Sequence, residues 1–202
     1  MKNIYLIRHG ETEYNQKGIV QGRGINVGLN ENGSAQADSF HRHYNTVPFD
    51  KVYTSTLLRT QQSVKKFTEH IPTETYSYLD EISWGKFEGQ AMNPQQKKEM
   101  KNLIWSWNQG KTDVAPLEGE SPEQVAARQR LFVPFLTDRS EEKNVLVCGH
   151  GRAIRIFLCV LMGLPIIEMK RFGHRNLCLY ILTYAKDRFQ ITKENNIDHL
   201  TF

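Results

Sequence analysis

Apolar residues along the chain form two nearly uninterrupted runs, Asn3–Ile7 (NIYLI) and Asn144–Cys148 (NVLVC). Short runs of this kind are typical of strands that are covered on both faces. Further segments carry weaker strand patterns, and the last two are expected to form a hairpin that turns near Lys186-Asp187. These segments are Lys51–Thr54, Thr73–Tyr78 near an edge, Leu177–Thr183 and Phe189–Lys193.

Helical spacing or helix-start signals occupy the segments between the strands. The predicted helices are Asn30–Asn45, Thr56–His70, Asn93–Gly110, a helix that opens at Ser121 and is kinked at Pro134, and Arg152–Met162. The glycine-rich segment Arg8–Leu29 is predicted to be a long functional loop. Alternating strands and helices predict one domain over residues 1–202, a three-layer α/β/α sandwich with a mainly parallel central sheet. Residues 89–120 are expected to form a small helical cap within it.

Composition narrows the classes of partner. The net charge of +4 is small and scattered, so nucleic acid is not expected as a partner. Cys148, Cys159 and Cys178 each lie in an apolar run, which predicts buried free thiols in a reducing compartment. We find neither a signal-peptide pattern nor an apolar stretch long enough to span a bilayer, and we expect a cytoplasmic monomer or homodimer without membrane contact.

Two histidines follow the two apolar runs. His9 comes after the first run together with Arg8, His150 comes after the second, and each histidine precedes a glycine. Ligands of open parallel sheets bind beyond the carboxyl ends of the strands. If the two strands are neighbours, both histidines therefore lie in one crevice.

Two arginines point to an anionic ligand for this crevice. Burying Arg8 directly after an apolar strand would be costly without an anion, and Arg59, near a predicted helix start, can point to the same edge. Arginine binds phosphate through two parallel N–H groups. Histidines and arginines without a cysteine or aspartate cage predict phosphoryl chemistry without a metal or another cofactor. Zinc is the alternative, but the flanking arginines would repel a cation.

The ordered motifs resemble those of the histidine phosphatase superfamily, the phosphoglycerate mutase-like enzymes. The matching elements are Arg8-His9-Gly10-Glu11-Thr12 with Asn15, Gln21-Gly22, Leu29 with Gly33, Gln36-Ala37, Val52–Arg59, Leu79-Asp80-Glu81 with Trp84-Gly85 and Glu88-Gly89, Gly119-Glu120-Ser121, and Cys148–Arg155. The chain departs from the family at Asn26 and Gly28, in a substrate-side loop that is one residue longer, and at Thr56.

The resemblance implies a role for each site residue. His9 would be the nucleophile, and Arg8, Arg59 and His150 would hold the transferring phosphoryl group. Asn15, Gln21, Gly22 and Gly151 would add phosphate or substrate contacts. Glu81 would be the general acid, with its neighbour Asp80 as the alternative, and Glu88 is expected to fix a loop.

The overall reaction is expected to be hydrolysis of a small phosphorylated metabolite. The segment after Gly89 lacks the arginine pair that the resemblance leads us to expect of a cofactor-dependent phosphoglycerate mutase, which is the first alternative. A protein-phosphohistidine phosphatase and an inactive phospho-ligand binder are the others. Sugar phosphates, glycerate phosphates, nucleotides and α-ribazole phosphate all remain candidate substrates. Trp105 and Trp107 of the cap are expected to serve packing, and Lys97, Lys98 and Lys101 to face solvent.

Overall fold

A computed structural model of the protein describes residues 1–200 and has a six-stranded sheet at its centre, with strand order β3-β2-β4-β1-β5-β6. The strands are β1 Lys2–Arg8, β2 Lys51–Thr54, β3 Thr73–Thr75, β4 Asn144–Gly149, β5 Leu179–Ala185 and β6 Arg188–Asn196. Strands β1 to β4 are mutually parallel, whereas β5 and β6 form an antiparallel hairpin beside β1. The prediction of a mainly parallel α/β sheet is confirmed.

Helices cover both faces of the sheet. They are α1 Glu13–Gln16, α2 Glu31–Tyr44, α3 Leu58–Ser63, α4 Lys65–Thr68, α5 Pro94–Asn108, α6 Pro122–Arg130, α7 Val133–Thr137 and α8 Gly151–Met162. Successive residues of each strand point to opposite faces, so β1 contributes Ile4 and Leu6 to one buried cluster and Ile7 to the other. Helices α5, α6 and α8 pack on the first face, and α2 and α4 pack on the second.

Helix starts follow the local signals in the sequence. The side chains of Asn30, Asn93 and Ser121 accept hydrogen bonds from the first turns of α2, α5 and α6. Such caps satisfy backbone N–H groups that have no partner within the helix. The positive φ angles of Lys186 and Asp187 confirm the predicted hairpin turn between β5 and β6.

Several predicted boundaries are wrong. The helix predicted over Thr56–His70 is divided into α3 and α4 by Val64, whose φ of −117° and ψ of 10° are not helical. Pro134 does not kink a helix but lies in the first turn of α7, where a missing N–H costs nothing. The strand predicted over Thr73–Tyr78 ends early because Ser77–Leu79 turns into a 3-10 helix. The predicted loop Arg8–Leu29 contains the short helix α1.

The pairing of β1 with β4 positions the site. Arg8 lies opposite Gly149 in the parallel register, so the residues that follow both strands emerge at the same edge of the sheet. All three cysteines are free and buried, as predicted. Within residues 1–200 we find no helix that is both long and apolar enough to cross a membrane.

Candidate active site

His9 and His150 lie side by side at the carboxyl edge of the sheet, with ring centroids 5.2 Å apart. The backbone N–H of His9 donates to the carbonyl of Gly149 at 3.0 Å, which extends the β1–β4 ladder by one residue. The two histidines therefore lie together, as expected, although of the two only His9 lines the cavity described below.

His9 is held as a neutral imidazole with a defined tautomer. Its Nδ1 lies 2.7 Å from the carbonyl oxygen of Gly10, and a carbonyl can only accept, so Nδ1 carries the proton. Burial, followed by the positive charges of Arg8 and Arg59, holds the pKa of His9 well below its usual value. The lone pair of Nε2 is therefore free to attack an electrophile at neutral pH.

His150 is held in the opposite tautomer. Nε–H of Arg59 donates to its Nδ1 at 3.2 Å, so Nε2 carries the proton and donates to Oγ of Ser55 at 2.7 Å. Oγ of Ser55 also accepts the backbone N–H of Leu57 at 3.1 Å. Burial and the charge of Arg59 keep the pKa of His150 well below its ordinary value. Both ring nitrogens of His150 thus have protein partners in this structure.

Arg59 and Arg8 bring two guanidinium groups to the site. Arg59 is fully buried and donates to the carbonyls of Ile25 at 2.6 Å and Gly22 at 3.3 Å. Burial lowers the pKa of Arg59 to about 10, and it lowers that of Arg8 as well. Nε of Arg8 is buried without a hydrogen-bond partner among residues 1–200. A buried donor left in this state is what an anion would satisfy.

Glu81 lies at the start of α8 and accepts hydrogen bonds from its first turn. The backbone N–H groups of Ala153 and Arg152 donate to its carboxylate at 2.8 Å and 3.1 Å, and that of Ile82 donates at 2.9 Å. His150, the N-cap residue of α8, makes no side-chain cap, so Glu81 caps this helix from another part of the chain. A carboxylate is favoured at this positive helix end.

Asp80, the alternative to Glu81, is engaged elsewhere. Its carboxylate accepts the backbone N–H and the hydroxyl of Thr56 at 2.9 Å and 2.8 Å, and it pairs with Nε of Arg23 at 3.2 Å. Glu81 lines the cavity that contains His9, whereas Asp80 does not.

That cavity measures about 250 Å³ and joins the carboxyl edge of the sheet to helix α5. Its lining combines polar side chains from the sheet edge with apolar side chains from the long loop and from α5. The residues are Arg8, His9, Asn15, Ile19, Val20, Gln21, Glu81, Trp84, Met100, Ile104 and Arg152. A volume of this size suits a compound smaller than a typical drug molecule.

Asn15 presents an amide to the cavity in a fixed orientation. Its Oδ1 accepts the backbone N–H of Thr12 at 3.3 Å and Nδ2 of Asn176 at 3.1 Å. The Nδ2 group of Asn15 is then the end that can donate to a ligand. Gln21 is nearly buried, and both polar atoms of its side chain lack a partner within the described chain.

Two glycines allow close packing around the site. A Cβ at Gly22 would lie 1.8 Å from Oε1 of Glu88, and one at Gly151 would lie 3.1 Å from Nδ1 of His174. Glu88 accepts the backbone N–H of Gly24 at 3.0 Å and of Trp84 at 2.7 Å, in agreement with its predicted loop-fixing role. The structure therefore places Gly22 and Gly151 in backbone positions that need a small residue.

Sequence reasoning missed three residues that contact the site. Nδ1 of His174 lies 3.3 Å from a terminal nitrogen of Arg8, Arg152 lines the cavity, and Ser55 holds His150. The position of Arg152 directly after His150-Gly151 is a signal that could have identified it. His174 lies in a loop before β5, and its local sequence carries no comparable signal.

The cap contributes apolar side chains rather than charged ones. Met100 and Ile104 of α5 line the cavity, while Lys97, Lys98 and Lys101 face solvent, as predicted. Trp107 is fully buried, as expected of a packing residue. Trp105 is 63% exposed, so the expectation that it serves packing is wrong. Helix α5 turns its Trp107 side inward, where Nε1 donates to the carbonyl of Val114.

Comparison with known proteins identifies the family. The family profile of the histidine phosphatase superfamily (branch 1) matches residues 4–197. The chain belongs to this superfamily. The adenosylcobalamin/alpha-ribazole phosphatase of Escherichia coli is 26% identical over 171 residues, which make up 84% of this chain and 83% of that enzyme. A Serratia proteamaculans protein that is named a probable phosphoglycerate mutase is 28% identical over 184 residues, which make up 89% of this chain and 83% of that protein.

A solved structure supports the fold in the same way. Mycobacterial glucosyl-3-phosphoglycerate phosphatase superposes with a TM-score of 0.86 at 24% identity, over 96% of this chain and 99% of that one. The resemblance drawn from the motifs is confirmed, and so is the expectation of an enzyme of the histidine phosphatase type.

Proposed function

We propose that the protein is a metal-independent phosphomonoester hydrolase that forms a phosphohistidine intermediate at His9 and acts on a small phosphorylated metabolite. The observation that carries this proposal is the hydrogen bond from Nδ1 of His9 to Gly10, which directs an unprotonated Nε2 away from the backbone. The unpartnered Nε of Arg8 next to this nucleophile supports a phosphate as the ligand.

In the first step, Nε2 of His9 attacks phosphorus and the bond to the substrate oxygen breaks. Arg8 and Arg59 stabilise the charge on the oxygens of the phosphoryl group, and Nδ2 of Asn15 adds a neutral donor. The incoming phosphate competes with Nδ1 of His150 for the Nε–H of Arg59. Once released, that ring nitrogen can take a proton and donate to a phosphoryl oxygen.

Glu81 protonates the leaving oxygen in this scheme and later removes a proton from the attacking water. It lines the same cavity as His9 and is nearly buried. The proton that Glu81 gives to the leaving oxygen in the first step is replaced by the one that it takes from water in the second. Water then attacks phosphorus, the bond to Nε2 breaks, and phosphate leaves.

Phosphoglycerate mutase activity is the second candidate, because a relative from Serratia proteamaculans carries that name. A mutase must return the phosphoryl group to a second oxygen of a retained product and exclude water. Phosphate release from 3-phosphoglycerate without formation of 2-phosphoglycerate would favour hydrolysis over the mutase.

Trapping the intermediate tests the proposal. Acid-labile, base-stable phosphate should appear on the wild-type protein after rapid quenching with labelled p-nitrophenyl phosphate, and activity should survive EDTA. His9→Asn should lose the label and reduce kcat by at least about a thousandfold, since the nucleophile is gone. His70→Asn, at an exposed histidine, is the matched control and should keep both. Normal turnover by His9→Asn, or loss of activity with EDTA, would overturn the proposal.

A further inference from the structure

Arg152 is a cation in the catalytic cavity for which the proposed reaction has no use. It is the second residue of α8, and its guanidinium carbon lies 5.6 Å from the ring centroid of Trp84 and 5.5 Å from that of Trp107. Arginine stacks well on indole rings, and the contact strengthens when water is excluded. The two tryptophans therefore hold the guanidinium in place without neutralising it.

The charge of Glu81 acts on this guanidinium, but no carboxylate among the described residues forms an ion pair with it. Among residues 1–200 it forms no ion pair and no hydrogen bond, and only the backbone N–H of Arg152 is bonded, to Glu81. Arg128 contrasts with it, because its guanidinium pairs with Glu120 at 3.0 Å. Burial and the nearby charge of Arg155 lower the pKa of Arg152 to about 10, so it remains charged at neutral pH. A charge held in this way is costly unless a ligand compensates it.

Gln21 supplies a second, independent sign of a ligand in this cavity. It is only 9% exposed, and neither Nε2 nor Oε1 has a hydrogen-bond partner in the described chain. Gln21 and Arg152 line the same cavity, whose remaining wall includes Val20, Met100 and Ile104. A buried carboxamide without hydrogen-bond partners destabilises the folded protein unless a bound molecule supplies those partners.

We propose that Arg152 binds a second anionic group, a carboxylate or a second phosphate, on the alcohol portion of the substrate. Gln21 hydrogen-bonds polar atoms between this group and the phosphoryl group at His9. His9, Gln21 and Arg152 line one cavity of about 250 Å³, so a skeleton of a few carbon atoms can carry both anionic groups within it. The substrate class is then a short phosphorylated hydroxy acid or a short bisphosphate. This inference rests on the proposed phosphatase function and adds a substrate specificity to it.

Matched substrate pairs test the role of Arg152. 3-Phosphoglycerate and glycerol 3-phosphate differ by a carboxylate in place of a hydroxymethyl group. 1,3-Propanediol bisphosphate and 3-hydroxypropyl phosphate differ by the second phosphate. Phosphate release gives kcat/KM for each compound, and the ratio within a pair is measured on one enzyme sample, so a partly folded variant does not distort it. p-Nitrophenyl phosphate reports the basic reaction.

In the wild type, kcat/KM should be about tenfold to a hundredfold higher for the member of one pair that carries a second anionic group, as for a hydrogen bond to a charged group. Arg152→Gln should reduce that ratio to near one, mainly through a higher KM. Arg152→Lys should fall between the two, since lysine keeps the charge but lacks the planar fork. Lys101→Gln removes the same charge from the exposed face of α5 and should keep the wild-type ratio.

The pair that responds distinguishes a carboxylate from a second phosphate. A wild-type ratio near one in both pairs, or the same ratio in Arg152→Gln as in the wild type, would overturn the inference while p-nitrophenyl phosphate turnover leaves the phosphatase proposal intact. Inactivity of the wild type on every compound would overturn both.

Discussion

At the scale of single residues, the site depends on which atom of each side chain is left free. Nδ1–H of His9 donates to a backbone carbonyl and leaves Nε2 free, whereas both ring nitrogens of His150 are hydrogen-bonded. Motif reasoning identified these residues but not their tautomers. Tautomers depend on neighbouring donors and acceptors, and Ser55 and Arg59 reach His150 from distant parts of the chain.

The proposed role of Glu81 as the general acid can be tested by changing the leaving group of the substrate. Glu81→Gln removes the proton donor but keeps the shape of the side chain. We expect kcat/KM for an alkyl phosphate to fall by about a hundredfold to ten-thousandfold, and that for p-nitrophenyl phosphate much less, since nitrophenolate leaves without a proton. Steady-state kinetics on both substrates checks this.

Because Glu81 also caps α8, thermal unfolding of the same variant is needed as a control. Comparing two substrates on one sample removes any loss that comes from partial unfolding. Equal losses on the two substrates would contradict the acid role and leave Glu81 as a helix cap.

At the scale of elements, side chains from distant segments hold the second half of the long loop after β1. Arg59 binds the carbonyls of Gly22 and Ile25, and Glu88 binds the N–H of Gly24 while also holding Trp84. The loop thus joins α3 to the segment that carries Glu81. This connection fixes Gln21 and the cavity wall relative to His9.

Removing Glu88 should loosen this loop. Glu88→Ala leaves the N–H groups of Gly24 and Trp84 without their acceptor, and we expect the free energy of unfolding to fall by about 1–3 kcal/mol. The KM for a phosphomonoester should rise, because Gln21 and Arg59 lose their fixed positions. Denaturant unfolding and steady-state kinetics measure the two effects.

Glu69→Ala, at an exposed carboxylate of the second sheet face, is the matched control and should change neither quantity. A Glu88→Ala protein with wild-type stability and KM would show that the loop is held without this carboxylate.

At the scale of the whole molecule, buried neutral histidines couple folding to pH. His9 and His150 are at most 3% exposed, and their pKa values in the folded protein lie well below 6.5 because of burial and nearby arginines. In the unfolded chain they bind protons near pH 6.5. Above that pH both histidines are neutral in the folded and the unfolded chain, so they do not oppose folding. Below it the unfolded chain binds more protons than the folded one, and the free energy of unfolding decreases.

We expect the free energy of unfolding to fall by about 1.4 kcal/mol per pH unit for each of these histidines between about pH 6.5 and 5. Denaturant unfolding at several pH values measures the slope. His9→Asn should reduce the slope by one such increment, whereas His70→Asn, at an exposed position, should not. A wild-type slope of zero over this range would contradict the assignment of buried neutral histidines.

The sequence by itself determined the features that depend on short-range interactions. The apolar runs of β1 and β4, the caps at Asn30, Asn93 and Ser121, and the turn at Lys186-Asp187 all follow from backbone geometry and neighbouring side chains. The ordered motifs also identified the family and the central site residues. Helix and strand ends were predicted less well, because local propensities at Val64, Ser77 and Pro134 compete with packing.

Only the tertiary structure decided which groups meet. Glu81 at the start of α8, His174 beside Arg8, and Arg152 between Trp84 and Trp107 are contacts between segments far apart in the chain. They depend on the pairing of β1 with β4 and on the return of α5 over the sheet edge. We expect the choice of leaving group to be set there, since the cavity wall and the position of Arg152 within it exist only after the chain has folded.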